Sequence, residues 1–341
     1  MGFRMKKTVL VLVSHIEQLR LDNYLILPNA LLRAGLRVWV ADIETLAIAD
    51  RHVTAACHEV DESVYLKGES LNSLPSHPRP VDGVDLVWSL ASPHPDLYLS
   101  TFQLLWVLNQ RVPFVNDASA LLFMNNKITL SETIPAEHLP ESYVVSDYRF
   151  LFDKLEQDRA RRWVLKPANE GCGADVFLVG MAERNARAIV QSATGNEVAN
   201  YERYGRATIG LSRKYTAMQA YVPNVTENEK RVLIVGGEPL CGFRRYHHDD
   251  DHRANVTLGN KYDGLTLDEA ERAFCRALGQ RLMTYGIYYA GLDLAYPYVL
   301  ELNLVNPGAL NYSLKATGID QSDEAIQLLL KALRERGKAA L

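Results

Sequence analysis

The feature that most constrains the fold is a pair of unbroken apolar runs near the start of the chain, TVLVLV (residues 8–13) and LRVWVA (residues 36–41). Between them, residues 22–34 carry apolar side chains at helical spacing. Strands that are apolar on both faces are typical of a parallel sheet that is covered by helices. The same order recurs from VDLVWS (residues 84–89) to VPFVN (residues 112–116), so an open α/β domain with a mostly parallel sheet is predicted.

Short strands in antiparallel pairs are predicted in the second half of the chain. KRVLIV (residues 230–235) and PLCGFRRY (residues 239–246) flank two glycines, which is a hairpin signal. Thr266 and Glu269 have the spacing of a capping box and predict the start of a helix. This half is therefore predicted to be α+β. The expected domains are an N-terminal α/β domain (1–122), a central subdomain with a glycine loop (123–215) and a C-terminal subdomain (216–341).

Composition excludes several classes of protein. Of the 341 residues, 48% are hydrophobic and 23% are charged, which is ordinary for a globular chain of two or three domains. No apolar run approaches the ~20 residues that a membrane span needs. The net charge is −4 and there is no long basic block, so no nucleic-acid partner is expected. The four cysteines lack C-x-x-C spacing, which favours neither zinc nor a disulfide framework and indicates a cytoplasmic protein.

A lysine ends one predicted strand, and a glycine loop follows it, in WVLKPANEGCGADVF (residues 163–177). Gly171 and Gly173 would let backbone N–H groups approach phosphate oxygens, and Lys166 would add a positive charge. Neither a Walker A loop nor a dinucleotide fingerprint is present. From these residues alone, a hairpin with a surface lysine is the favoured interpretation.

The last predicted hairpin carries three side chains with oxygen atoms. Glu301 and Asn303 are two residues apart on one strand and therefore share a face. A three-residue turn at 296–298 would place Asp293 opposite Glu301, whereas a two-residue turn would place it on the far side. Carboxylate and amide oxygens suit Mg²⁺ that is held together with phosphates, and a solvated strand face is the alternative.

Basic side chains form a third cluster, which consists of Lys230, Arg231, Arg244, Arg245 and Arg253. Guanidinium groups near a metal hairpin suit an anionic substrate or a transferring phosphoryl group. Taken singly, each arginine is more often part of a surface ion pair. The neighbouring HHDDDH run (residues 247–252) is interpreted as a solvated loop rather than a metal tract.

In this order, the motifs resemble the ATP-grasp superfamily, and most closely the bacterial glutathione synthetases. They are Asn126-Lys127, VLKP with its glycine loop, QAYV, KRVLIVGGEP, Arg253-x-Asn255, GLD and LELNLVNPG. The tail NPGALNYSLKATGID is at least as similar to the RimK-type ligases. The resemblance covers nearly the whole chain and implies an α+β ATP-grasp fold after the first domain.

The resemblance also implies a role for each matching residue. ATP phosphates would contact Lys127 and Lys166, and a loop would close over them, formed by Glu170, Gly171, Cys172 and Gly173. The adenine hinge would consist of Gln219, Ala220, Tyr221 and Val222. The ligands of Mg²⁺ would be Asp293, Glu301 and Asn303. The acyl substrate and the transferring phosphoryl group would face Arg231, Arg245, Arg253 and Asn255.

Such enzymes phosphorylate a carboxylate with ATP, and an amine then attacks the acyl phosphate. Phosphorylation supplies the leaving group that a carboxylate lacks, and a lid excludes water from the intermediate. The resemblance implies γ-glutamylcysteine and glycine as substrates. A RimK-like amino-acid or peptide ligase and a non-catalytic ATP-binding regulator are the alternatives. We expect a homo-oligomer that binds small-molecule substrates, with neither nucleic acid nor membrane as partner.

Three departures from the pattern leave the acid and the amine open. Ser89-Leu90-Ala91 stands where the glutathione synthetases have an arginine, and residues 185–215 form a longer segment than expected. Asn306 stands where those enzymes tend to have a serine before the proline. Since the loop that begins at Asn306 directly follows the metal strand, it is expected to lie against the substrate.

Overall fold

The structure is a computed structural model that describes residues 6–14, 16, 22–60, 75–171, 173–195, 214–246 and 261–337. The strands are β1 (Thr8–Val13), β2 (Arg37–Asp42), β3 (Ala47–Ala49), β4 (His52–Val60), β5 (Ser76–Pro80), β6 (Leu86–Ser89), β7 (Ser142–Val145), β8 (Trp163–Pro167), β9 (Phe177–Val179), β10 (Thr216–Ala220), β11 (Lys230–Val235), β12 (Glu238–Arg245), β13 (Tyr262–Gly264), β14 (Tyr289–Ala295) and β15 (Tyr298–Asn303). The helices are α1 (Asn23–Arg33), α2 (Tyr98–Asn109), α3 (Ala118–Met124), α4 (Leu130–Thr133), α5 (Tyr148–Gln157), α6 (Ala186–Ala193), α7 (Val225–Asn228), α8 (Glu269–Thr284), α9 (Ala309–Thr317) and α10 (Ser322–Glu335). None of the described helices is both long and apolar enough to cross a membrane.

The first sheet has six strands in the order β3-β4-β2-β1-β6, with β5 paired to β4. β1 lies parallel to β2 and to β6, as the unbroken apolar runs predict. However, β4 pairs antiparallel with β2, β3 and β5, so the sheet is mixed rather than mostly parallel. The positive φ angles of Asp50 and Arg51 form the tight turn from β3 to β4. A connection this short can join only antiparallel strands.

The predicted strand at residues 112–116 is reduced to two isolated bridges, a parallel one between Val87 and Phe114 and an antiparallel one between Asn116 and Ile287. Pro113, the neighbour of Phe114, accepts a hydrogen bond from the N–H of Val87 at 2.9 Å but has no N–H of its own to donate. Proline is confined to sheet edges for this reason. The segment therefore runs along β6 without extending the sheet.

Two cores lie on opposite faces of the first sheet, because successive side chains of β1 point to opposite sides. Val9 and Val11 belong to one core, together with residues of α1 and α10. Leu10 and Leu12 belong to the other, together with residues of α2 and α8. Both cores also contain side chains of β11, so the first and third sheets pack as one hydrophobic unit.

The second sheet is antiparallel, in the order β7-β10-β8-β9, and has a core of its own with α5 and α6. β8 and β9 flank the glycine loop, as expected from the sequence. β10 (Thr216–Ala220) also belongs to this sheet, so the change to the third sheet lies between residues 220 and 230. The division of the chain into domains stays a prediction.

The third sheet is antiparallel, in the order β13-β12-β11-β14-β15. The predicted hairpin of β11 and β12 is present, and its two turn glycines, Gly236 and Gly237, both have positive φ angles. The capping box of α8 is at Asp268 and Glu271 rather than at Thr266 and Glu269. Glu271 also accepts two hydrogen bonds from Lys230 of β11, at 2.5 and 2.6 Å. This tertiary contact fixes the start of the helix.

Candidate active site

The two acidic side chains of the last hairpin lie on one face, since Asp293 of β14 is paired directly with Glu301 of β15. The predicted three-residue turn is wrong, because the strands end at Ala295 and Tyr298 and only two residues connect them. The pairing shifts by one residue between Asp293 and Leu294, so β15 contains a bulge. This one extra residue returns Glu301 to the face of Asp293.

Asp293 is buried between two arginines on neighbouring strands. Arg231 lies opposite Asp293 and donates to both of its carboxylate oxygens, with 2.8 Å from Nη2 to Oδ2. Nη1 of Arg245 lies 3.4 Å from the same Oδ2. Burial alone would raise the pKa of Asp293, but the two guanidinium groups outweigh burial and lower this pKa to about 2. Asp293 is therefore an anion at neutral pH.

The predicted anion-binding arginines already have partners in the structure. Nη1 of Arg231 donates to the carbonyl of Pro307 at 2.7 Å, and Nη1 of Arg245 donates to Glu229 at 2.7 Å. Arg231 thus connects the hairpin face to the loop after β15. The other two predicted substrate contacts, Arg253 and Asn255, lie outside the described residues.

Lys127 connects the hairpin to the glycine loop. Its Nζ lies 3.1 Å from Oε1 of Glu301 and donates to the carbonyl of Glu170 at 2.5 Å. The backbone N–H of Lys127 donates to the carbonyl of Ala168 at 2.9 Å. Although these elements are far apart in the sequence, the fold brings the lysine, the carboxylate and the loop backbone to one point.

Lys166 lies near the end of β8 in the second sheet and donates from Nζ to Oε1 of Gln219 at 3.1 Å. Burial lowers the pKa of Lys166, Glu301 opposes this effect and Lys127 adds to it. The loop beyond it is exposed at Glu170 and Gly171. Gly173 has a φ of 74°, a conformation that favours glycine.

The predicted hinge follows the end of β10. The N–H groups of Ala220 and Tyr221 donate to the carbonyls of Glu141 and Arg162, at 2.8 and 3.0 Å, so these two donors are already used by the protein. Val222 packs against Ala295 at the tip of the hairpin of β14 and β15, with Tyr221 beside them. The hinge segment therefore lies next to the predicted metal strands.

The side chains on the hairpin face fit a hard divalent cation. Asp293 and Glu301 supply two carboxylates, and Asn303 supplies an amide whose buried Nδ2 has no hydrogen-bond partner among the described residues. The described part of the chain contains no group of three or more His, Cys, Asp or Glu residues that could hold a metal. A cation here would thus need an amide oxygen and further oxygens from a phosphate, which is how proteins commonly bind Mg²⁺.

A comparison with known families agrees with this geometry. The model of the prokaryotic glutathione synthetase ATP-grasp domain matches residues 127–317, more than half of the chain. The protein belongs to this family. The match contains both lysines, the glycine loop and the hairpin, and the resemblance inferred from the sequence is confirmed.

Two curated relatives of this glutathione synthetase family member are similar to it over almost their full length. The glutathione synthetase of Gloeobacter violaceus is 25% identical over 338 residues, which are 96% of this chain and 97% of the relative. That of Agrobacterium fabrum is 24% identical over 319 residues, which are 92% of this chain and 93% of the relative.

Solved structures confirm the ATP-grasp fold of this family member. The D-cycloserine synthetase DcsG has a TM-score of 0.66 at 16% identity, and the match covers 96% of this chain and 99% of that one. A RimK domain ATP-grasp protein from Sphaerobacter thermophilus has a TM-score of 0.59 at 19% identity, with 95% and 99% covered.

Two residues that position the site in this family member were not predicted from its sequence. The side chain of Asn116 makes four hydrogen bonds of 2.7 to 3.0 Å to the backbone of Tyr288, Tyr289 and Leu304, at the far ends of the hairpin. A Cβ atom on Gly291 would lie 2.4 Å from Cβ of Pro307. In the sequence, Asn116 is only a polar residue after an apolar run, and Gly291 is only a glycine inside a strand.

Proposed function

We propose that the protein is an ATP-dependent carboxylate–amine ligase that acts through an acyl phosphate, as in a glutathione synthetase. The observation that carries this proposal is the position of Lys127. Its ammonium group contacts both the hairpin carboxylate of Glu301 and the backbone of the glycine loop at Glu170. A cation at this point can contact phosphate oxygens that lie between a bound metal and a lid.

Different residues of this chain would have different roles in phosphoryl transfer. Lys127 and Lys166 would contact the phosphates, and the glycine loop would cover them and exclude water. Mg²⁺, held by Asp293, Glu301 and Asn303, would neutralise the charge that develops on the phosphoryl oxygens. Arg231 and Arg245, which already pair with Asp293 and Glu229, would add positive charge beside the acid and the transferring phosphoryl group.

The proposed substrates are γ-glutamylcysteine and glycine, the pair expected for a glutathione synthetase. The similarity to named glutathione synthetases over 96% and 92% of the chain supports this pair. A RimK-like ligase with another acid and amine is the second candidate. It is favoured by Asn306 in the loop after β15 and by the fold shared with a RimK domain protein.

A non-catalytic regulator is disfavoured, because the side chains predicted to bind the phosphates and Mg²⁺ are all present. The two lysines and the three hairpin side chains all occur, and Lys127 and Glu301 contact each other directly. The cytoplasm as compartment and a homo-oligomer as assembly stay predictions.

An isotope-transfer experiment tests the proposal. The protein is incubated with ATP, Mg²⁺, glycine and γ-glutamylcysteine labelled with ¹⁸O in the carboxylate that reacts, which is the cysteine carboxylate. An acyl phosphate mechanism transfers one ¹⁸O atom to inorganic phosphate and gives a product with the mass of glutathione. The same assay with a panel of other acids and amines tests the RimK-like alternative. If no acid stimulates ATP cleavage, the ligase proposal is wrong.

A further inference from the structure

We propose that Asn306, oriented by Asn23, selects substrates that present a carboxylate at this site. This inference rests on the proposed ligase function and assigns its substrate preference to a pair of asparagines. Asn306 lies three residues beyond Asn303, in the loop between β15 and α9. Asn23 is the first residue of α1 and is completely buried.

Backbone contacts on both sides hold the loop in place. The carbonyl of Leu304 accepts a hydrogen bond from Asn116 at 2.7 Å, and its N–H donates to Asn125 at 3.0 Å. The carbonyl of Pro307 accepts from Nη1 of Arg231 at 2.7 Å. Asn306 therefore lies between two fixed points, and it immediately precedes the residue that contacts Arg231.

The amide group of Asn306 is held in one orientation. Nδ2 of Asn23 donates to Oδ1 of Asn306 at 2.7 Å and lies 3.4 Å from the hydroxyl of Tyr289. Since Oδ1 of Asn306 is turned towards Asn23, the half-buried side chain presents its Nδ2 away from Asn23, where it can donate to a ligand. No hydrogen bond of this Nδ2 to another described residue is present.

A fixed N–H donor near a guanidinium group recognises oxygen acceptors. A carboxylate of the acid or of the amine substrate can accept from Nδ2 of Asn306 and is attracted by the positive charge of Arg231, whereas a carboxamide brings no charge and an ammonium group brings the wrong polarity. A serine hydroxyl can rotate to donate or to accept, so it would discriminate less. The asparagine pair thus provides an N–H donor of fixed direction, where a serine would provide a hydroxyl that can rotate.

Two isosteric variants test the orientation. Asn306→Asp keeps an oxygen for Asn23 but replaces the N–H donor by an anion. Asn23→Asp accepts from Nδ2 of Asn306 and so turns the oxygen of Asn306 towards the substrate. Each variant should raise the KM for the substrate whose carboxylate accepts from Asn306 by about 10- to 100-fold, because a hydrogen bond to a charged group is lost. The KM for ATP should stay at the wild-type value.

The decisive measurement is the preference for carboxylate over carboxamide. Isothermal titration uses γ-glutamylcysteine, glycine and their carboxamide analogues as probes, in the presence of a non-hydrolysable ATP analogue. Wild-type protein should bind one of the two substrates more tightly than its carboxamide analogue. Asn23→Asp should lose this preference for the carboxylate, although Asn23 is buried. A purely structural role would lower the melting temperature and leave the preference intact. Asn109→Asp, in α2, is the matched control.

Three outcomes overturn the inference. The first is equal binding of carboxylate and carboxamide by the wild type. The second is wild-type preference in both Asn23→Asp and Asn306→Asp. The third is an equal loss of the preference for carboxylate in Asn109→Asp. If Asn23→Asp does not fold, Asn306→Asp and Asn306→Ser decide the question. Binding is measured without turnover, so failure of the ligase assay on the wild type is distinguished from failure of this inference.

Discussion

The ammonium group of Lys127 lies 3.1 Å from the carboxylate of Glu301. Lys127 lies between β6 of the first sheet and β7 of the second, whereas Glu301 is on β15 of the third sheet. The same ammonium group contacts the carbonyl of Glu170 in the glycine loop. One cation therefore contacts a predicted metal ligand and the predicted lid at the same time.

The first prediction concerns this carboxylate. Glu301→Gln removes an anionic ligand but keeps the size and shape of the side chain. Turnover should fall by roughly 100-fold, since even the partners of metal ligands are worth about 10- to 100-fold. The free energy of unfolding should fall much less than turnover, because an amide oxygen can still accept from Lys127, which also keeps its contact with the carbonyl of Glu170. Steady-state kinetics at increasing Mg²⁺ and urea unfolding measure the two effects.

Glu238→Gln is the control for the first prediction. Glu238 forms a surface ion pair with Arg276, 2.8 Å from Nε to Oε2. Wild-type turnover in Glu301→Gln, or an equal loss in both variants, would contradict the assignment of Glu301 as a metal ligand.

The second prediction concerns stability and pH. Asp293→Asn leaves Arg231 and Arg245 buried without their shared anion, so the free energy of unfolding should fall by about 3–5 kcal/mol. The folded protein lowers the pKa of Asp293 from 3.8 to about 2. The contribution of the ionised carboxylate is therefore present above pH 3.8 and is lost as the pH falls towards 2. The variant should lack this part of the acid dependence.

Urea unfolding at pH 7 and at several values from pH 5 down to pH 2 measures this effect. Asp85→Asn is the matched control, since Asp85 contacts Lys7 at 2.9 Å in a more exposed position. If Asp293→Asn is no less stable than Asp85→Asn at pH 7, the proposed stabilisation of Arg231 and Arg245 by the Asp293 carboxylate is wrong.

The third prediction concerns the glycine opposite Asn303. Gly291→Ala places a Cβ atom 2.4 Å from Cβ of Pro307 and 3.2 Å from Cδ of Arg231. The loop after β15 must shift, at a cost of about 1–3 kcal/mol in the free energy of unfolding. The KM for the acid should rise more than the KM for ATP. Gly83→Ala is the control, because its Cβ would meet no atom within 4 Å.

Thermal unfolding together with the two KM values checks this third prediction. Identical behaviour of Gly291→Ala and Gly83→Ala would show that close approach of the loop to β14 does not matter for the site.

The fourth prediction concerns the lid. Residues 168–171 contain exposed side chains and little apolar surface, so their local stability should be low without nucleotide. Addition of ATP and Mg²⁺ should slow hydrogen exchange in this loop. The buried strand β1 serves as an internal reference. Equal exchange rates with and without nucleotide would argue against a lid.

Local patterns in the sequence predicted a large part of the fold. The apolar runs predicted the parallel core of the first sheet, and Gly236-Gly237 predicted the hairpin of β11 and β12. Each of these features depends on side-chain period or on turn chemistry within a few residues. The antiparallel half of the first sheet was missed, since the tight turn at Asp50 and Arg51 lacks glycine.

The sequence by itself determined which chemical groups are present and on which strands they lie. Only the tertiary structure decided that Asp293 faces Glu301, because a bulge rather than a longer turn sets the register. The extra residue, Leu300, packs against the small apolar cluster of Val222 and Val225, which lies far from it in the sequence. Register across a bulge depends on such distant packing, so no local pattern encodes it.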